Sequence, residues 1–256
     1  MGFLFKPRIR PAAAAIEPVE SSFPVLRDAE IAAVFAGQRA AGDFYDSIRV
    51  SPNRVLFGLL DVAGRRGAAE TILADAQQVF REMGTDLFSP IEVNEAEALT
   101  QLCVQLNKTI MDAAEGVHSC PAFAGCYNED LGIVCYVNAG HTPGLVRKGQ
   151  EISELAATGL PLGLFSHATC DAPLIALEAG AALLLASRGV VETKCKDEEF
   201  GVSGLETAFQ QAPLEKAHDL CVSILNRAQD FACTPAKEDD MTALALVRRS
   251  PPSGGR

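Results

Sequence analysis

Two helical patterns follow one another directly in this chain, and strand-like runs stand on both sides of them. Within residues 67–83 the apolar positions Ile72, Ala76, Val79, Phe80 and Met83 fall at helical spacing. Asn94, with Glu97 three residues on, forms a capping-box pattern, and Leu99, Leu102, Leu106 and Ile110 continue the period. Alternating strands and helices build a parallel sheet; two consecutive helices between groups of strands do not. The strand-like runs are 29–35, 46–50, 55–62, 122–127, 133–137, 170–177, 181–186 and 242–247. Asn53 turns the second run into the third as a hairpin, and Asn128-Glu129-Asp130 separates the fourth from the fifth. Pro213 is placed at the start of a further helix, whose stripe is Leu220, Ile224, Leu225, Ala228 and Phe231. The pattern predicts an α+β fold with helices packed on the outer faces of antiparallel sheets.

Composition narrows the function classes. The chain has 256 residues, with 22 Lys and Arg against 33 Asp and Glu, a net charge of −11. That sign argues against binding nucleic-acid phosphates. No run approaches the ~20 apolar residues of a membrane helix, so no membrane span is expected. The start lacks a myristoylation signal, because Lys6 stands where Ser or Thr is needed, and residues 11–16 are too short for a secretory apolar core. The reading is a soluble cytoplasmic protein with a flexible N-terminal arm over 1–25, one domain over 26–249 and a disordered tail over 250–256. Eight cysteines, at 103, 120, 126, 135, 170, 195, 221 and 233, show no two-residue pairing motif. They are expected to be reduced core residues.

Three distant segments place carboxylates at the ends of strand-like runs: Gly42-Asp43-Phe44-Tyr45-Asp46, Leu59-Leu60-Asp61-Val62-Ala63-Gly64 and Glu238-Asp239-Asp240-Met241-Thr242. A single Asp there is ordinarily a turn former or cap. Several together suit a hard divalent cation, which takes oxygen ligands and offsets the cost of burying charge.

These segments, with Asn138-Ala139-Gly140-His141, the loop from Gly159 to Leu164, and Ser187-Arg188-Gly189 standing between the second and the third, resemble in order the metal-dependent protein phosphatases (PPM family). The closer likeness is to the sporulation stage II protein E branch, which contains bacterial regulators of the general stress response and of sigma factors. The resemblance implies a four-layer α-β-β-α sandwich of two antiparallel sheets flanked by helices. It implies a metal centre of Mn²⁺ or Mg²⁺ at one edge, whose paired ions activate a water against phosphorus. By position, Asp61 matches the bridging ligand, the Val62 carbonyl its neighbour, Asp43 the Gly-Asp acid, and Asp239 the terminal acid. Asp43, Asp61 and Asp239 are thus the implied catalytic residues, with Asp46 and Asp240 as supporting acids. His141 has two readings, a structural turn or a contribution to substrate or proton handling. The implied activity is dephosphorylation of phosphoserine or phosphothreonine on a regulatory protein, such as an anti-sigma-factor antagonist.

The match breaks at one ligand. The family has an Asp where this chain has Arg188, and a guanidinium offers no lone pair to a metal. Arg188 either turns inward onto Asp61 or Asp239 and fills one ion's place, turns away and leaves one ion, or binds substrate phosphate. Glu192 reads as a replacement ligand or as a solvated turn residue. Arg66 stands where the branch has Gly, and Arg65 with Arg66 forms either a phosphate patch or a solvated pair. Ala63 replaces a His that serves some members as general acid. The alternative function is therefore a pseudophosphatase that binds a phosphoprotein without efficient turnover.

Overall fold

The computed structural model describes residues 23–37, 42–62, 66–113, 119–167, 169–233 and 240–250, with backbone alone for 66–71. Most of the expected arm (1–25) and tail (250–256) lies outside the described residues. The elements are β1 (Ala29–Ala36), β2 (Gly42–Ser51), β3 (Arg54–Val62), α1 (Arg66–Phe88), α2 (Glu95–Ala113), β4 (Ala122–Asn128), β5 (Ile133–Ala139), β6 (Gly144–Lys148), β7 (Glu151–Leu155), β8 (Leu174–Ala176), β9 (Ala182–Ala186), α3 (Arg188–Val191), β10 (Lys194–Cys195), β11 (Glu198–Glu199), α4 (Gly201–Gln211), α5 (Ala217–Phe231) and β12 (Met241–Arg248).

Two five-stranded sheets form, in the orders β1-β12-β9-β6-β7 and β2-β3-β4-β5-β8. Strand alternation explains why they stack. On β3 the residues Val55, Phe57 and Leu59 enter the core between the sheets, while Leu56, Leu60 and Val62 enter the core beneath α1 and α2. β3 is therefore buried on both faces along its whole length. On β12 Leu244 and Leu246 face the inter-sheet core, while Ala243, Ala245 and Val247 face α4 and α5. Three stacked cores make the four layers α-β-β-α.

The 46–50/55–62 hairpin, the Asn94 cap and both consecutive helices form as read. Asn94 Oδ1 accepts the Glu97 amide at 3.3 Å. Four differences have physical causes. The β6–β7 hairpin leaves no signal in the sequence, because β7 is mostly exposed and carries no apolar alternation. The run 170–177 yields only β8, which pairs with β5, whereas β9 joins the other sheet. Pro213 follows the end of α4 rather than opening α5, since proline also suits the residues just past a helix. Cys195 and Cys233 are disulfide-bonded with Cα atoms 4.6 Å apart, which corrects the all-reduced expectation for that pair; the other six are free, five of them buried. Among the described residues, no helix is long and apolar enough to cross a membrane.

Candidate active site

The β2–β3 register sets Asp43 directly opposite Asp61. Two-residue alternation turns Asp61 to the same inter-sheet side as Leu59 and Phe57, at the end of the sheet. From the opposing sheet, β12 and the end of β9 supply two hydroxyls. Thr242 Oγ1 donates to Asp43 Oδ2 at 2.7 Å. Ser187 Oγ accepts the Thr242 amide at 3.0 Å, and the Ser187 amide donates to the Thr242 carbonyl at 2.9 Å. Ser187 also hydrogen-bonds the Asp43 carboxylate. The two sheets are thus tied together at this edge through one acid.

Burial pushes the Asp43 carboxyl up to about 7, helped by the charges of Asp61 and Asp240 and opposed by the Thr242 and Ser187 hydrogen bonds. Asp61 is also raised, first by burial, with Arg188 pulling it down and Glu192 pushing it up. Arg188 opens α3, and its Nε lies 3.3 Å from Asp61 Oδ2 and 3.8 Å from Glu192 Oε1. Arg188 therefore turns toward Asp61, while Glu192 remains largely exposed. Gly189 and Gly37 flank Asp240 closely. A Cβ on Gly189 would stand 2.1 Å from the Asp240 carbonyl oxygen, and one on Gly37 2.3 Å from Asp240 Oδ1. Small residues at both places let the buried Asp240 pass between them.

His141 lies near the same edge as part of a tight turn. Its amide donates to Asn138 Oδ1 at 2.8 Å, and its Nδ1 lies 3.0 Å from Thr142 Oγ1, which donates to the Ala186 carbonyl. Burial lowers the imidazole to about 4, so it is neutral at ordinary pH. The loop from Gly159 to Leu164 backs the site, with Leu162 and Cys120 exchanging backbone hydrogen bonds while Pro121 accepts the Asp61 amide at 2.9 Å. Asp46 is not brought in. It lies an odd number of residues from Asp43, so it faces α1 and is gripped by Arg81, Nε to Oδ2 at 2.5 Å. Asp239, Arg65 and the side chain of Arg66 lie outside the described residues. The sequence assigns no role to Thr242 or Ser187, although each lies within a segment that carries the resemblance.

Two carboxylates side by side, both with raised proton affinity, make an electrostatic site that a divalent cation relieves. The chemistry of this donor set fits one such cation. The positive charge of Arg188 also faces Asp61. Among the described residues, no three His, Cys, Asp or Glu side chains gather as a metal-holding group.

Two face-to-face antiparallel sheets with outer helices and paired acids at one edge define a PP2C-type phosphatase fold. The fold is shared with the RsbU and RsbW domains of a Mycobacterium tuberculosis protein (TM-score 0.72, 22% identity, 90% of this chain and 64% of that one). It is shared with the PP2C phosphatase domain and regulatory-domain fragment of SpoIIE from Bacillus subtilis (TM-score 0.72, 14% identity, 88% of this chain and 63% of that one). This chain spans just under two thirds of each of those two. RsbX, solved in complex with magnesium, matches with TM-score 0.60 at 12% identity over 90% of this chain and 98% of that one. No curated protein matches the sequence. The sequence model of Stage II sporulation protein E (SpoIIE) matches residues 51–249, and the chain belongs to that family.

Proposed function

We propose that this chain is a cytoplasmic phosphoserine/phosphothreonine protein phosphatase of a bacterial signalling pathway, with one cation position taken over by Arg188. The single observation that carries this reading is the Asp43–Asp61 pair with the Arg188 guanidinium 3.3 Å from Asp61. Asp43, Asp61, the Val62 carbonyl and Asp239 would hold one Mg²⁺ or Mn²⁺. Such a cation supplies Lewis acidity, drawing charge off a phosphoryl oxygen and lowering the pKa of water.

The chain's own residues do the rest. Thr242 and Ser187 hold the Asp43 carboxylate in one orientation through their hydroxyls. Arg188, half-exposed at the rim, carries guanidinium donors that suit the oxygens of an arriving phosphate. Ala63 carries no proton for the leaving serine or threonine oxygen, which then takes one from water. The substrate is read as a phosphorylated regulatory protein of the anti-sigma-factor antagonist class. An RsbU domain occurring beside an RsbW domain in one solved relative supports a partner of that kind.

The ion pair also favours a second reading, a pseudophosphatase that binds the phosphoprotein without turning it over. Hydrolysis of p-nitrophenyl phosphate and of a phosphoserine peptide with added Mn²⁺ separates the two. Activity in the native chain that Asp61→Asn abolishes supports the enzyme. Silence in the native chain with activity in Arg188→Asp supports the binding module. Silence in both removes Arg188 as the sole cause.

A further inference from the structure

We propose that the Cys195–Cys233 disulfide is a reversible redox-modification site that sets how firmly α3 presents Arg188 to Asp61. The proposal rests on the reading of Asp61 and Arg188 as active-site residues. It would make the thiol state of the surroundings an input to the same centre.

The bridge joins two elements that are otherwise far apart in the chain. Cys195 lies in β10, soon after α3, and Cys233 lies just past the end of α5. Cys233 is exposed and Cys195 half-buried, so the sulfurs are open to a dithiol, unlike the five buried free cysteines. In a reducing compartment an accessible disulfide of this sort is a sensing or transient bond rather than a permanent staple.

What it restrains has little stability of its own. α3 is a single turn, closed by the Val190 amide on the Ser187 carbonyl and the Glu192 amide on the Arg188 carbonyl. One turn cannot hold itself, because its few hydrogen bonds do not offset the ordering of its residues. Its orientation therefore comes from its neighbours. Thr193 Oγ1 donates to the Gly189 carbonyl at 2.8 Å, and the Phe200 amide donates to the Thr193 carbonyl at 2.8 Å. Between those two anchors stands the β10–β11 hairpin, with two residues per strand and one exposed ion pair, Lys194–Glu199. An exposed ion pair contributes little. The Phe200–Phe231 ring contact, with centroids 5.6 Å apart, also ties this hairpin region to α5, and Val190, Val191 and Phe200 share one buried apolar cluster with α5. The disulfide is the covalent member of that tie. Any looseness it removes is passed through Thr193 to Gly189, next to Arg188.

Reduction is balanced by the reductant. The S–S bond breaks, each sulfur gains one electron and one proton, and a dithiol is oxidised to its own disulfide.

The test uses the full chain, air-oxidised or treated with dithiothreitol, and the exposed-site variant Cys233→Ser. Alkylation after unfolding should tag six cysteines of eight in the oxidised protein and all eight after reduction. Native-state hydrogen exchange at the Val190 and Glu192 amides should speed up about tenfold on reduction. Amides of β4 should stay unchanged, and Cys233→Ser should reproduce the effect without reductant. Mn²⁺ titration of both forms should give different affinities. Eight tagged cysteines in the oxidised protein would overturn the proposal. So would α3 exchange indifferent to both reduction and Cys233→Ser, or equal Mn²⁺ affinity in the two forms. If α3 responds but Mn²⁺ binds neither form, the redox coupling to α3 stands and the cation reading of the site falls.

Discussion

Replacing Arg188 with Asp reverses the charge that faces Asp61, and its consequences can be sized. At 3.3 Å two unit charges interact by about 5 kcal/mol at an effective dielectric near 20. The Arg188 side chain is 45% exposed, so solvent screening reduces that to about 1–2 kcal/mol. Exchanging attraction for repulsion then destabilises the cation-free protein by about 2–4 kcal/mol. The same reversal acts on a cation at Asp61 with opposite sign, and about 3 kcal/mol corresponds to roughly 100-fold tighter Mn²⁺ binding. The assay is a pair of measurements on the native chain, Arg188→Asp and Arg188→Ala. Chemical denaturation in chelator should rank the native chain first and the Asp variant last. Calorimetric Mn²⁺ titration should rank them in reverse, and saturating Mn²⁺ should bring the Asp variant's stability up toward or past the native value. Mn²⁺ affinities within about threefold of one another would refute the reasoning, because the guanidinium would then not be competing with a cation at Asp61.

Thr242→Val removes the hydroxyl that donates to Asp43 at 2.7 Å while keeping side-chain volume. It should cost about 2 kcal/mol above pH 8 and less below pH 6, where Asp43 is protonated, as read by urea denaturation at both pH values. His141 is held neutral down to about 4 in the fold but takes its proton near 6.5 when unfolded. The unfolded chain binds more protons between those values, so this group withdraws about 3 kcal/mol of stability as pH falls from 6.5 to 4. His141→Gln should flatten that part of the profile, and an unchanged acid limb would show that the imidazole is not the cause. Gly189→Ala drives a Cβ to 2.1 Å from the Asp240 carbonyl and should destabilise the protein by about 3 kcal/mol. A melting temperature equal to the native one would show that α3 moves aside freely.

Local spacing was enough for much of this fold. The β2–β3 hairpin, the α1–α2 pair and the Asn94 cap depend on residues a few positions apart, so period and capping reveal them. The pairing of Asp43 with Asp61 was nearly as legible, because a hairpin register brings its two ends together. Parity along β2 separates Asp43 from Asp46, so two acids three residues apart face opposite sides of the strand. Edge strands such as β7 carry too little burial to leave a pattern.

Residue order alone thus pointed to the layering, to the acid-bearing hairpin and to an arginine at position 188, where the resemblance implies an acid. The stacking of the sheets was needed before Thr242 could reach Asp43 across 199 positions, Arg188 turn onto Asp61, and Cys195 meet Cys233. The difference is one of range. Periodicity and capping act within a few residues, whereas these contacts arise when two sheets stack and bring distant strand ends to one edge. No local pattern encodes which side chains will meet there.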